Sequence, residues 1–128
     1  MSLLKLLIKS YLGALACIII ISNSLHAQTN DPVQIATEYY NQGDLEKAKD
    51  EFKKLARNKR NIPRIHETYF RLLLTIEDFD EAEKHLGNVI KNYPDNFTYE
   101  VDLGVLYRTM NQEERANQLL DQVVIKVT

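Results

Sequence analysis

The chain has 128 residues, a formal net charge of −2, one cysteine and no tryptophan. That length allows one ordinary domain or a short repeat array. The mildly acidic balance argues against general nucleic-acid binding, which needs a basic footprint.

The first element is a leader. Lys5 and Lys9 flank the start of an apolar run, Tyr11 to Ile21, followed by Ser22-Asn23-Ser24 and Leu25-His26-Ala27. Positive, then apolar, then small and polar is the order of a secretory signal peptide, and the peptidase's need for a small residue places cleavage after Ala27. An uncleaved membrane anchor is disfavoured, because the run falls short of the roughly 20 residues that a spanning helix needs. Lipidation of Cys17 is disfavoured because the run stays apolar through Ile18 to Ile21 instead of giving way to a polar tether. The protein is therefore expected to be exported, to a periplasm, a cell surface or beyond, without a stable membrane span once residues 1–27 are removed. Removal takes two lysines and no acid, so the charge moves from −2 to −4. It also takes the one cysteine, leaving residues 28–128 to be held by an apolar core without disulfides.

Six helices are expected after the leader, at roughly 32–42, 45–58, 63–76, 79–92, 97–110 and 113–127. Leu45, Ala48, Phe52 and Leu55 are spaced three, four, three, which draws an apolar stripe along one helix face; Phe79, Ala82, Leu86 and Val89 repeat the spacing. Asn41-Gln42-Gly43-Asp44, Glu77-Asp78 and Asn111-Gln112 break the stripes as turn signals. Pro32, Pro63 and Pro94 stand at or just before the first helix of each pair, where the missing N–H is not needed. Acids gather at the starts of the second helices (Asp44, Asp78, Glu113) and bases at the ends of the first two (Lys53, Lys54, Arg57, Lys91), complementing the helix dipoles.

An offset of 34 residues aligns the chain with itself. Ala48, Ala82 and Ala116 share a column, as do Phe52, Leu86 and Leu120, then Leu55, Val89 and Val123. Upstream, Ile35, Tyr69 and Leu103 match, as do Tyr39, Leu73 and Tyr107; Ala36 and Gly104 agree as small residues with Phe70 between them. Matching columns without a gap define three helix–turn–helix units, about 29–62, 63–96 and 97–128, in which small residues let paired helices cross closely.

This pattern resembles the tetratricopeptide repeat family. The third unit carries Gly104, Tyr107, Ala116 and Leu120 after Pro94, and the first carries Ala36, Tyr39, Gly43, Ala48 and Phe52; the second, with Ala82 and Leu86, is looser, having Phe70 at a small position and Glu77 for the turn glycine. The family's early tryptophan is replaced by Pro32, His66 and Glu100. The resemblance implies an all-α solenoid, a right-handed superhelix of three repeats whose first helices line a concave groove for protein or peptide segments. Carried onto this chain, the groove positions are Val33, Thr37, Tyr40 and Asn41; Arg64, Glu67, Thr68, Arg71 and Leu74; and Thr98, Val101, Asp102, Val105 and Arg108. Arg71, Arg108 and Tyr40 would suit a carboxylate or an aromatic-rich peptide, unless the arginines pair with Glu67 and Asp102 on the same wall. The Lys and Asn clamp of chaperone-binding members is absent, since Val33, Thr37, Thr68, Thr98 and Asp102 occupy those places.

Catalysis finds little to build on. Beyond residue 27 there is no serine and no cysteine, which removes both usual nucleophiles. His66-Glu67 opens like a zinc-protease helix, but Phe70 stands where the second histidine belongs. Gly43, Gly87 and Gly104 are isolated, so no phosphate loop exists, and the acids are read as outward-facing. No metal or cofactor is implied. Arg57-Asn58-Lys59-Arg60 is read as a solvated turn, and Asn96-Phe97-Thr98 as a chance sequon. The final helix ends on Val123-Val124-Ile125-Lys126-Val127-Thr128 without a polar cap, which solenoids usually need. That apolar end suggests self-association, or a longer protein in which these repeats form an N-terminal module ahead of an enzymatic or envelope-assembly domain.

Overall fold

The structure, a computed structural model, describes residues 2–5 and 31–128. The expected leader and its cleavage point lie outside the described residues, apart from a helical turn at 2–5. Asp31–Thr128 forms one compact unit. Its regular elements are all helical: α1 (Pro32–Asn41), α2 (Leu45–Leu55), a 3-10 turn (Lys59–Asn61), α3 (Ile62–Thr75), α4 (Phe79–Asn92), α5 (Thr98–Thr109) and α6 (Glu113–Val127). Helix α2 stops at Leu55, three residues before the expected end, because Asn58 starts the 3-10 turn by accepting from the Arg60 amide. No described helix is long and apolar enough to cross a membrane.

The helices pair as three hairpins whose turns are built alike. Gly43, Glu77 and Asn111, each 34 residues apart, have φ of 78°, 57° and 58°. The following residue donates its N–H five residues back, Asp44 to Tyr39, Asp78 to Leu73 and Gln112 to Tyr107, at 3.0, 2.9 and 2.8 Å. This is the Schellman closure of α1, α3 and α5, whose spare carbonyls need donors. Asp44 and Asp78 then cap α2 and α4 by accepting from the Lys47 and Glu81 amides; Gln112, in the same column, makes no side-chain cap. Each turn thus ends one helix and starts the next within about four residues.

The hairpins share one continuous core. Ala36, Ala48, Phe52, Ile65, Tyr69, Phe70, Leu72, Leu73, Ala82, Leu86 and Leu106 are buried together, so all three hairpins contribute. Ile62, Val89 and Tyr99 form a second buried cluster joining the second hairpin to the third. Burial of this kind is worth about 25 cal/mol per Å² of apolar surface. Ion pairs tie the second helices together: Lys49–Asp78 and Lys53–Glu81 at 2.8 Å link α2 to α4, and Arg115–Glu83 at 3.2 Å links α4 to α6.

Candidate functional site

Helices α3 and α5 meet through a polar contact at the heart of the unit. His66 Nε2 lies 2.8 Å from Asp102 Oδ2, and His66 Nδ1 lies 3.1 Å from His85 Nε2 on α4. His66 and His85 are both buried. Helical spacing places Phe70 one turn beyond His66, and the two rings stack at 5.9 Å; the edge of Tyr99 meets the imidazole at 4.6 Å. A carboxylate only accepts, so His66 carries its proton on Nε2 and donates to Asp102. Neutral His66 then accepts at Nδ1, and His85 donates from Nε2. Burial first, and the neighbouring His66 second, push His85 down to about 4, with Glu81 opposing them.

Two cavities flank this array. One of about 370 Å³ opens between α3 and α5, with His66, Glu67, Phe70, Thr98, Tyr99 and Asp102 in its wall. The other, about 330 Å³, is bordered by Lys53, Tyr69, Glu81 and His85 on the side of α2 and α4. The two histidines therefore run from one cavity to the other. Asp102 and His66 form an orienter-and-base couple of the kind general-base chemistry uses, but the second ring nitrogen is engaged by His85. Among the described residues, no three His, Cys, Asp or Glu side chains converge to hold a metal ion.

The groove positions read from the sequence separate into two groups. Val33, Tyr40 and Leu74 are half-buried and pack against the main core. Thr37 is half-buried, with its hydroxyl donating to the Val33 carbonyl at 2.8 Å, and Thr68 is half-buried as well. Asn41, Arg64, Glu67, Arg71, Thr98, Val101, Val105 and Arg108 are exposed. Arg64 is held by Asp31, and Arg71 by Glu67 at 2.6 Å. Arg108 does not pair with Asp102. It reaches Glu113 at 3.7 Å and Asn117 at 3.2 Å, since residues six apart on one helix are not neighbours on its surface. Among the repeat positions, Ala36, Ala48, Phe52, Ala82, Leu86, Gly104, Tyr107 and Ala116 are buried, Tyr39 and Leu120 half-buried, and Gly43 and Pro94 exposed.

The expectation that the acids all face outward is corrected at Glu100, which is only 8% exposed. Its Oε1 accepts from Lys126 at 2.6 Å, anchoring the last turn of α6, while Oε2 is buried without a partner. His66 and Glu100 share the column in which the family's tryptophan is missing. A polar residue at a core column was the one signal in the sequence for this buried network; nothing in the spacing pointed to His85 or Asp102 as its partners.

Comparison with protein families bears directly on this architecture. Two tetratricopeptide repeat models match, one over residues 33–62 and the other over residues 67–96. The chain belongs to the tetratricopeptide repeat family. The matched segments span most of the first two hairpins, leaving out residues 63–66 of α3, and tetratricopeptide repeats generally mediate protein–protein interaction. Neither a curated protein nor a solved structure matches the chain.

Proposed function

We propose that this protein is an exported, non-enzymatic tetratricopeptide repeat scaffold, with α5–α6 as its third repeat in a right-handed superhelix. Its first helices, α1, α3 and α5, hold an extended or helical segment of a partner protein. The observation that carries the reading is on α5. Val101 and Val105, one helical turn apart, are 40% and 44% exposed, although Leu106 beside them is fully buried. Exposed apolar pairs at this spacing suit a contact surface, because a partner would remove them from water. Arg71 and Arg108 already have intramolecular partners, so apolar contact, more than arginine clamping, is the expected source of affinity.

Affinity capture with the full-length chain tests this. Val101→Asp with Val105→Asp is expected to lose the partners that wild type retains, with an unchanged circular dichroism spectrum. Arg71→Glu with Arg108→Glu is expected to weaken them less. The same partners at the same yield from the valine variant would refute the groove.

Val124, Ile125 and Val127 of α6 are also exposed, and a second copy of the chain is the occupant proposed for that face. Sedimentation of the full-length chain as a monomer at micromolar concentration would remove this part of the proposal. Export is supported by the order of Lys5, Lys9, the apolar run and Ala27, and detection of a mature chain beginning at Gln28 would test it.

A further inference from the structure

The cavity between α3 and α5 deepens the groove reading and rests on it. We propose that this cavity receives a basic side chain, arginine or lysine, from the bound segment.

The charge pattern selects the guest. Asp102 gives the site a half-buried carboxylate whose side chain keeps 26% of its surface accessible. One of its oxygens accepts from His66, and a carboxylate offers about four acceptor positions, so capacity for a second donor remains. Glu67 adds a second carboxylate at the rim. Its pairing with Arg71 joins two exposed side chains, 84% and 61% accessible, and such pairs contribute little. An incoming guanidinium or ammonium can replace Arg71 at small cost. Phe70 and Tyr99, both buried, add aromatic carbon to the wall, against which the aliphatic stem of a long basic side chain can pack. Thr98 adds a polar rim. At about 370 Å³ the space lies at the lower end of ligand-sized pockets, which suits one long side chain more than a whole peptide. An anionic guest would meet two carboxylates and no free cation within this wall.

The test is titration of the full-length chain with N-acetyl-arginine methylamide and with its uncharged isostere, N-acetyl-citrulline methylamide, followed by the NMR ring resonances of Tyr99 and His66. At pH 7.5 the arginine amide is expected to shift both rings and the citrulline amide neither. Binding should weaken about tenfold in Asp102→Asn and about threefold in Glu67→Gln. Equal responses to the two amides would overturn the cation site. So would wild-type affinity in a folded Asp102→Asn. If that variant does not fold, wild-type affinity in the exposed-site variant Glu67→Gln decides the same way. Partner capture by the Val101 and Val105 variant bears on the groove alone and the amide titration on the cavity alone, so the two ideas fail separately.

Discussion

His66 Nδ1 and His85 Nε2 face each other at 3.1 Å, a separation that holds one proton between them and not two. With both rings neutral, His85 donates and His66 accepts. One added proton on His66 is accommodated if His85 moves its own proton to Nδ1. A second sets two N–H groups against each other inside the protein. With both rings neutral the pair is thus a buried network with one satisfied arrangement, which favours a single packing of α3 on α4.

Acid should weaken the fold in a window set by His85. Unfolded, its imidazole has the ordinary value of 6.5, whereas the folded protein holds it near 4, mainly by burial and then by His66. Between those values the unfolded chain binds the proton and the folded one does not, so stability falls as pH drops from about 6.5 to about 4. The full loss is roughly 3 kcal/mol. The carboxylates of Asp31, Asp44 and Asp78 are lowered from 3.8 by Arg64, Lys47 and Lys49, so their contributions disappear only below that window. Urea unfolding at pH 7.5, 5.5 and 4.5 should show a steep decline for wild type and a shallower one for His85→Gln. Parallel declines would remove His85 as the cause.

The turns show how much was legible beforehand and where legibility stopped. The hairpins could be read because every 34th residue meets the same local demand: Ala48, Ala82 and Ala116 fill close helix crossings, and residues 43, 77 and 111 carry the chain through positive φ. Such demands act within a few residues and leave a periodic trace. The buried polar network leaves only a polar residue, His66, at the tryptophan column, and no trace of its partners. His66 needs His85 nineteen positions later and Asp102 thirty-six positions later, and each looks like an ordinary helix residue. The pairing of Arg108 has a local cause: six positions beyond Asp102 on the same helix it lies on another face, and it reaches Glu113 and Asn117 across the turn.

Glu77 is the weak point of the three turns. At φ 57° its Cβ is held in the left-handed region, which costs an L-residue about 1–2 kcal/mol. Asparagine tolerates that region better, and Gly43 occupies it freely. Glu77→Gly should therefore stabilise the protein by roughly 1 kcal/mol after the added entropy of glycine in the unfolded chain is subtracted. Asn111→Gly should change it by less. Thermal unfolding decides the point, and a lower melting temperature for Glu77→Gly would contradict the strain argument.

Asp78 serves two purposes that mutation can separate. Its carboxylate accepts from the Glu81 amide at 3.2 Å, capping α4, and meets Lys49 of α2 at 2.8 Å. A lost cap costs about 1 kcal/mol, up to 2. A partly exposed ion pair contributes about 0.2–1 kcal/mol. Asp78→Ala removes both, whereas Asp78→Asn retains a capping oxygen and loses only the charge. The expected order of destabilisation is Asp78→Ala well above Asp78→Asn, with Lys49→Met close to the latter. Equal losses for Asp78→Ala and Lys49→Met in denaturant unfolding would mean that the ion pair dominates.

Two helix glycines should respond differently to the same substitution. A Cβ on Gly87 meets nothing within 4 Å, while one on Gly104 would lie 2.9 Å from Leu120 Cδ2 and 3.0 Å from its Cγ. Alanine gains about 1 kcal/mol over glycine inside a helix, so Gly87→Ala should be stabilising by about that amount. At Gly104 the same gain is set against overpacking of about 1–3 kcal/mol where α5 crosses α6. Leu120 is half-buried and its tip can swing aside, so Gly104→Ala should fall close to wild type. Gly104→Val is different: its two methyl groups are stiff in a helix and press on the Leu120 Cγ, which moves away only if χ1 of Leu120 leaves its well or α6 shifts. It should cost about 1–3 kcal/mol, read as a lower denaturation midpoint with an unchanged urea slope. If Gly104→Val unfolds at the wild-type midpoint, the two helices do not cross as closely as the geometry shows.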